Sequence, residues 1–162
     1  MDSITTDSNQ AAGAWVMKVL QILQPETVKV DILRSMDLFA GMRWPELAEA
    51  GSQFDEVAVP RGARLTVQGR ADTRLCVLIT GEALVSADAR PLRVIGHGDA
   101  VGLPSMLYRI KSPETTVALS PIRALSAGPE QFRELVRKAT IRRRLVALAA
   151  DQLRRGRPFR GR

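Results

Sequence analysis

Residues 60–85 read PRGARLTVQGRADTRLCVLITGEALV, and their punctuation decides the fold. Glycines at 62, 69 and 81 separate short runs rich in Leu, Val and Ile. Before the first turn, Val57 and Val59 alternate with polar or small residues. After it, Leu65 and Val67 continue the alternation, so the spacing predicts that the four share one face across the turn at 60–62. Leu75, Val77 and Ile79 keep the same period of two, break at Gly81, and resume at Ala83 and Val85. The stretches RVIG (93–96) and VALSPIRALSAG (117–128) supply further short strands. Turn residues recurring about every eight to twelve positions favour a β-sandwich or barrel over alternating strand–helix units.

Outward from this β body the period changes to that of helices. In residues 11–24, apolar side chains fall at Ala12, Trp15, Val16, Val19, Leu20 and Leu23, an amphipathic helical rhythm that Pro25 ends. A second helix is expected at 27–36, and RWPELAEAG (43–51) reads as a short helix with Pro45 in its first turn. Helix returns at PEQFRELVRK (129–138) and ATIRRRLVALAADQLRR (139–155), the latter with Ile141, Leu145, Leu148 and Leu153 near one face. The final GRPFRGR (156–162) cannot be regular helix, and residues 1–10 are polar and expected to be disordered. The chain therefore divides into that disordered start, an N-terminal helical extension at 11–31, a body at 32–153 and a basic tail at 154–162.

At 162 residues with 45% hydrophobic content, the chain can bury one substantial core. Its net charge of +7 is unevenly placed. Residues 133–162 hold eleven Arg and Lys against Glu134 and Asp151 alone. A single cysteine, Cys76, excludes an internal disulfide framework and reads as a small buried hydrophobe. The N-terminus has neither a basic nor an apolar signal region, and no run of about 18 apolar residues spans a bilayer. A cytoplasmic protein is expected. The one histidine, His97, sits in a GHGD turn with no companions for a metal site, and reads as an exposed turn residue. No nucleophile–base pair is arranged around any Ser or Cys, so no enzyme activity is expected. GHGDAVG (96–102) has neither the spacing nor the following long helix of a dinucleotide fingerprint.

Four pieces in order carry a family likeness: ILRSMDLFAGMRWPELAEA (32–50), the glycine-punctuated 60–85, VIGHGDAVG (94–102) and IRALSAGPEQFREL (122–135). Together they resemble the cyclic nucleotide-binding domain of bacterial catabolite activator and fumarate–nitrate regulators, over roughly residues 32–155. The resemblance implies a mainly β fold, a jelly roll (double-stranded β-helix) with N-terminal helices and a C-terminal helical pair. It also implies a phosphate-binding cassette after the GD of Gly98–Asp99. The family cassette reads Phe-Gly-Glu, a few small or apolar residues, then Arg-Ser/Ala-Ala-Thr-Val/Ala. Its Arg and helix N-terminal amides hold the cyclic phosphate, and its Glu takes the ribose hydroxyl.

Carried onto this chain, Gly102 and the closing Thr116 and Val117 match, and Ser105 and Met106 fall inside the cassette. Leu103 stands where the Glu belongs and Pro113 where the Arg belongs. Arg109 and Lys111 are the cations near enough in sequence to substitute, though a Lys does not reproduce a bidentate guanidinium. A degenerate pocket that binds cAMP or cGMP weakly or not at all is expected, and no cofactor. With about nine residues after Leu153, no helix-turn-helix module is expected to follow.

Two other surfaces carry alternatives. Arg142–Arg144 reads as a solvated face or as a docking surface for an acidic partner or nucleic acid. In the tail, Arg154, Arg155, Gly156, Arg157, Pro158 and Arg160 include an Arg-Gly-Arg-Pro core like that of an AT-hook. Such a core lies in a narrow DNA minor groove, so the tail is expected to bind DNA, to bind another polyanion such as RNA, or to serve as a solubilising or protein-docking segment. The N-terminal helix packs on the body or contacts a partner. The stripe of Leu145, Leu148 and Leu153 is expected to form a homodimer or partner seam. The sequence thus points to a stand-alone, non-enzymatic regulatory or interaction subunit. A nucleic-acid-associated protein and a nucleotide sensor with an altered pocket are the alternatives.

Overall fold

The computed structural model describes residues 18–19 and 26–155. Its elements run β1 (Lys18–Val19), α1 (Glu26–Arg34), a 3-10 turn (Asp37–Phe39), α2 (Trp44–Gly51), β2 (Asp55–Val59), β3 (Arg64–Thr66), β4 (Leu75–Thr80), β5 (Ala83–Ala87), β6 (Arg90–Ile95), β7 (Ala100–Val101), α3 (Leu103–Tyr108), β8 (Thr115–Ala118), β9 (Ile122–Ala127), α4 (Pro129–Arg137) and α5 (Ala139–Arg155). The strands form two antiparallel sheets, ordered β1-β2-β9-β4-β7 and β3-β8-β5-β6. This is the expected mainly β architecture with flanking helices.

Alternation along β4 explains the layering. Leu75, Val77 and Ile79 face a cluster built with helical residues such as Leu33, Phe39, Leu47, Leu135 and Leu145, and with Phe54 just before β2. Cys76 and Leu78 face the second sheet, packing with Val57, Val85, Ile95 and Ile122. The five-stranded sheet is therefore the middle of three layers. A strand covered on both faces reads as an unbroken apolar run, which LCVLI is. Cys76 is a buried free thiol, and burial pushes its pKa up to about 12, so it is the inert hydrophobe expected.

Of the residues expected to share a face, Val57, Val59 and Leu65 do pack in one cluster, but from two sheets rather than across a paired turn, and Val67 does not join them. β2 pairs with β9, whereas β3 pairs with β8 in the other sheet. An irregularity between Arg64 and Thr66 turns Leu65 and Thr66 both inward and leaves Val67 half-buried beyond the strand. A bulge of this kind shifts the face of every residue after it.

Of the N-terminal extension, only Lys18–Val19 is described before Glu26, and it is strand rather than helix. It pairs with Ala58 and Val57 on the free edge of β2. Two backbone segments joining at an open edge satisfy ladder groups that a helix could not reach. The rest of the predicted helix, Trp15 included, lies outside the described residues, as do residues 1–10 and 156–162.

The helices match their sequence signals. α2 has Pro45 in its first turn, and its Glu46 carboxylate accepts from the Arg43 amide at 2.9 Å. α4 begins at Pro129, with Gln131 Oε1 accepting from the Gly128 amide at 2.8 Å. His97 is exposed yet bonded: its Nδ1 lies 2.7 Å from the Ile79 carbonyl and its Nε2 lies 3.1 Å from Ser35 Oγ. It ties the end of α1 to the β body. Among the arginines of 142–144, Arg144 donates to the Leu38 carbonyl at 2.9 Å, so part of that basic run staples α5 to the 3-10 turn. No helix among the described residues is long and apolar enough to cross a membrane.

A candidate ligand pocket held by an internal ion pair

Between the four-stranded sheet and the last turns of α5 lies a cavity of about 220 Å³. Its walls come mainly from β3 and β8 (Thr66, Thr116), β6 (Arg93, Val94, Ile95), the cassette (Gly102, Pro104, Ser112, Pro113, Glu114) and α5 (Leu148, Asp151, Gln152, Arg155), with Asp72 and Asp99 also lining it.

The cassette's backbone keeps a demanding shape. Gly102 has φ of 84°, and a side chain there would fall on the Arg74 carbonyl oxygen. Only glycine fits both conditions. The short helix α3 follows and ends at Arg109, itself left-handed at φ 53°. Ser105, buried, accepts from the Asp72 amide at 2.9 Å and donates to the Ile110 carbonyl at 2.5 Å. Gln152 on α5 donates to the Ala100 carbonyl at 2.9 Å, latching the helix over the cavity.

Leu103 does not face the cavity. It is fully buried in the helical cluster, with Met106 and Leu107 packed beside it. The carboxylate position of the cassette has thus become a core position, which explains why an apolar residue sits there. Pro113 and Thr116 do line the cavity, as does Gly102. Thr66 Oγ1 lies 3.0 Å from both the Glu114 carbonyl and Thr116 Oγ1. The carbonyl can only accept, so the Thr66 hydroxyl donates to it.

Neither cation nominated from the sequence reaches this space. Arg109 borders a separate hollow with Ala71, Phe132 and Arg133. Lys111 is exposed and bridges through its backbone to Ala71. The left-handed residue at the end of α3 turns the chain so that both side chains leave on other faces.

The cavity's guanidinium is Arg93, which sequence reading did not single out. Its Nη1 and Nη2 meet Glu114 Oε1 and Oε2 at 3.0 and 2.8 Å, a bidentate fork. The side chains are 24% and 14% exposed, so the pair is held largely out of water. β5 brings them together: Val85 pairs with Arg93 on one side and with Thr116 on the other. One signal pointed here. Glu114 occupies the small-residue position after the cassette arginine, where the family pattern has Ser or Ala.

Two further carboxylates define the electrostatics. Asp72 Oδ2 is buried with no hydrogen-bond partner, and burial raises the Asp72 pKa to about 6, only partly offset by a hydrogen bond from Ser112. Asp151 pairs with Arg155 at 2.9 Å and Arg154 at 3.7 Å. Four carboxylates therefore line the cavity against the two guanidiniums of Arg93 and Arg155. Of the nominated tail residues, Arg154 and Arg155 end α5; Gly156, Arg157, Pro158 and Arg160 lie outside the described residues.

Comparison with known proteins agrees with this frame. The sequence model of the cyclic nucleotide-binding domain matches residues 56–139, more than half of the chain. This protein belongs to the cyclic nucleotide-binding domain family. No curated protein sequence matches it. Among solved structures it is similar to PKAR CBD2 with Sp-2Cl-cAMPS bound, at 18% identity and TM-score 0.71, covering 82% of this chain and 92% of that one. A cyclic nucleotide-binding domain from Methylobacillus flagellatus matches at 20% identity and TM-score 0.67, covering 81% and 79%. The Thermus thermophilus catabolite activator protein matches at 26% identity and TM-score 0.65, covering 72% of this chain and 58% of that protein.

Proposed function

We propose that this chain is a non-enzymatic regulatory or interaction domain of the family whose pocket is held by its own ion pair and does not take cAMP or cGMP in the family's manner. The bidentate Arg93–Glu114 pair carries the reading. A cyclic phosphate entering this cavity brings a negative charge to a guanidinium already satisfied by a largely buried carboxylate. To use Arg93 it must displace Glu114, and uncoupling a buried pair by losing one partner costs about 3–5 kcal/mol. Partial exposure reduces that figure, yet even about 3 kcal/mol weakens binding roughly a hundredfold.

Two features add to it. Leu103 offers the ribose no carboxylate, and its side chain is committed to the core. The cavity of about 220 Å³ is also smaller than the roughly 300–1,000 Å³ of small-molecule pockets. What remains is a binding fold without its ligand chemistry, presenting surfaces to a partner. Calorimetric titration of the full chain with cAMP and with cGMP tests the reading. No saturable heat is expected up to about 1 mM, and a micromolar dissociation constant for either nucleotide would overturn it.

A further inference from the structure

A second hollow, of about 410 Å³, lies between the cassette helix α3 and α4. It exceeds the cavity at Arg93 and falls within the roughly 300–1,000 Å³ of small-molecule pockets. Its walls are mainly apolar: Met106, Leu107 and Ile110 from α3 and its exit, with Pro129, Phe132 and Val136 from α4. The three positions on α4 are spaced three and four apart, so they present one face. Phe132 is buried, and Met106, Leu107 and Val136 pack against the helical cluster while staying partly exposed. The floor of the hollow is therefore the uncovered outer side of that core.

Its rim is positive. Arg109 and Arg133 both line the hollow, both are exposed, and neither has an ion-pair or hydrogen-bond partner among the described residues. Arg142 on α5 donates to the Val136 carbonyl at 3.4 Å, which brings a third guanidinium to this border. Among the described residues, Asp72 is the one carboxylate in the lining. Its hydrogen bond comes from Ser112, which lines the Arg93 cavity and not this hollow, and its Oδ2 is shut off from solvent. That charge is turned toward the other cavity and leaves the two arginines unpaired. An apolar floor under unpaired guanidiniums favours a ligand that is both hydrophobic and anionic. A bare anion would leave the floor wet, and a neutral body would leave the arginines unused.

We propose that this hollow binds a small amphipathic carboxylate, its apolar body on Met106, Leu107, Phe132 and Val136 and its head at Arg109 and Arg133. Each guanidinium offers the forked donors that a planar carboxylate fits. A head with one negative charge suits the site better than a doubly charged phosphate, because Asp72 remains in the wall. The site is separate from the Arg93 cavity and stands whether or not a nucleotide binds there.

The experiment titrates the full chain with hexanoate, octanoate and decanoate, followed by NMR, with octanamide as the uncharged counterpart. Saturable shifts should appear at Met106, Ile110, Phe132 and Val136, and not at Thr66 or Thr116 of the other cavity. Each added methylene should tighten binding about threefold, so decanoate should bind about tenfold more tightly than octanoate. Its dissociation constant should be about 1 mM or tighter. Arg109→Asn, which keeps a residue that tolerates left-handed backbone, combined with Arg133→Gln should weaken decanoate about tenfold or more. Both positions are exposed, so the fold should survive the change. Arg143→Gln, exposed and outside the hollow, should leave the affinity unchanged. Octanamide binding as well as octanoate, a series without a chain-length trend, or shifts centred on Thr66 and Thr116 would overturn the proposal. If an acidic peptide saturates the same residues while decanoate does not, the hollow is a protein-docking groove and the proposal falls. Failure here leaves the nucleotide titration untouched, and a micromolar nucleotide affinity sinks the earlier reading without touching this one.

Discussion

Glu114 takes the place of a small residue in the cassette, and exchanging it tests what the pair does. Glu114→Ser frees Arg93 while restoring the family's residue type. We expect cAMP affinity, read by NMR titration into the millimolar range, to rise at least tenfold, or about 1.4 kcal/mol. Adding Arg93→Ala should remove the gain. If Glu114→Ser gains nothing, the ion pair is not what excludes the nucleotide. Asp72 gives a pH-dependent counterpart. Its pKa is about 6 in the folded protein against an ordinary 3.8, so the folded state holds the proton more tightly than the unfolded chain. That stabilisation is fully present below about pH 4 and is lost as pH rises through 6. Asp72→Asn should therefore be more stable than the parent at pH 7, and the gap should close near pH 4. The carboxyl is partly exposed, and solvent screening reduces the difference to the order of 1 kcal/mol. Chemical denaturation at the two pH values reads it, and a gap that persists at pH 4 would remove burial of charge as the cause.

At the scale of elements, α5 shows where a periodic stripe stops informing. The sequence places Leu145, Leu148 and Leu153 on one inner face. In the structure Leu145 is buried and Leu148 packs against the helical cluster, while Leu153 is half-buried and belongs to neither cluster. Leu145 and Leu148 thus contribute to the chain's own body, Leu145 fully and Leu148 in part. A period of 3.6 says which residues share a face and not what that face meets. Leu145→Ala should cost about 2–5 kcal/mol by urea unfolding, and Leu153→Ala less than about 1. Equal losses would contradict this division of the helix. Elsewhere the local signals were strong because they are chemical: Pro45 and Pro129 at helix starts fix φ and need no hydrogen-bond donor. The strand at Lys18–Val19 had no such signal, since an added edge strand depends on its neighbour's free backbone rather than on its own pattern.

Across the whole molecule, the legible part was whatever repeats along the chain. Glycine-bounded alternation gave two sheets, and the order of motifs gave the cassette's frame, including Gly102 with its φ of 84°. The partition into layers was less visible. Val57 and Leu65 looked like neighbours across a turn, yet their strands lie in different sheets. The pocket's charges were hidden for a related reason. Arg93 and Glu114 are 21 residues apart and meet only because β5 pairs with a strand on each side. Arg109 and Lys111 were nearer in sequence and are absent from the cavity lining, so proximity along the chain misled where register decided. Non-local pairing leaves no periodic trace in either segment.

The Arg93–Glu114 fork also limits the routes by which this sequence can change. Glu114 is the more deeply buried partner, at 14% against 24% exposed. Losing Arg93 first strands a carboxylate among Asp72, Asp99 and Asp151, in a cavity whose charge is already negative. Losing Glu114 first leaves a guanidinium that is better exposed and still surrounded by acids. The two positions therefore do not drift independently: the acid has to go before the base, and a lineage that discards the base first closes its own way back to an anion-binding pocket.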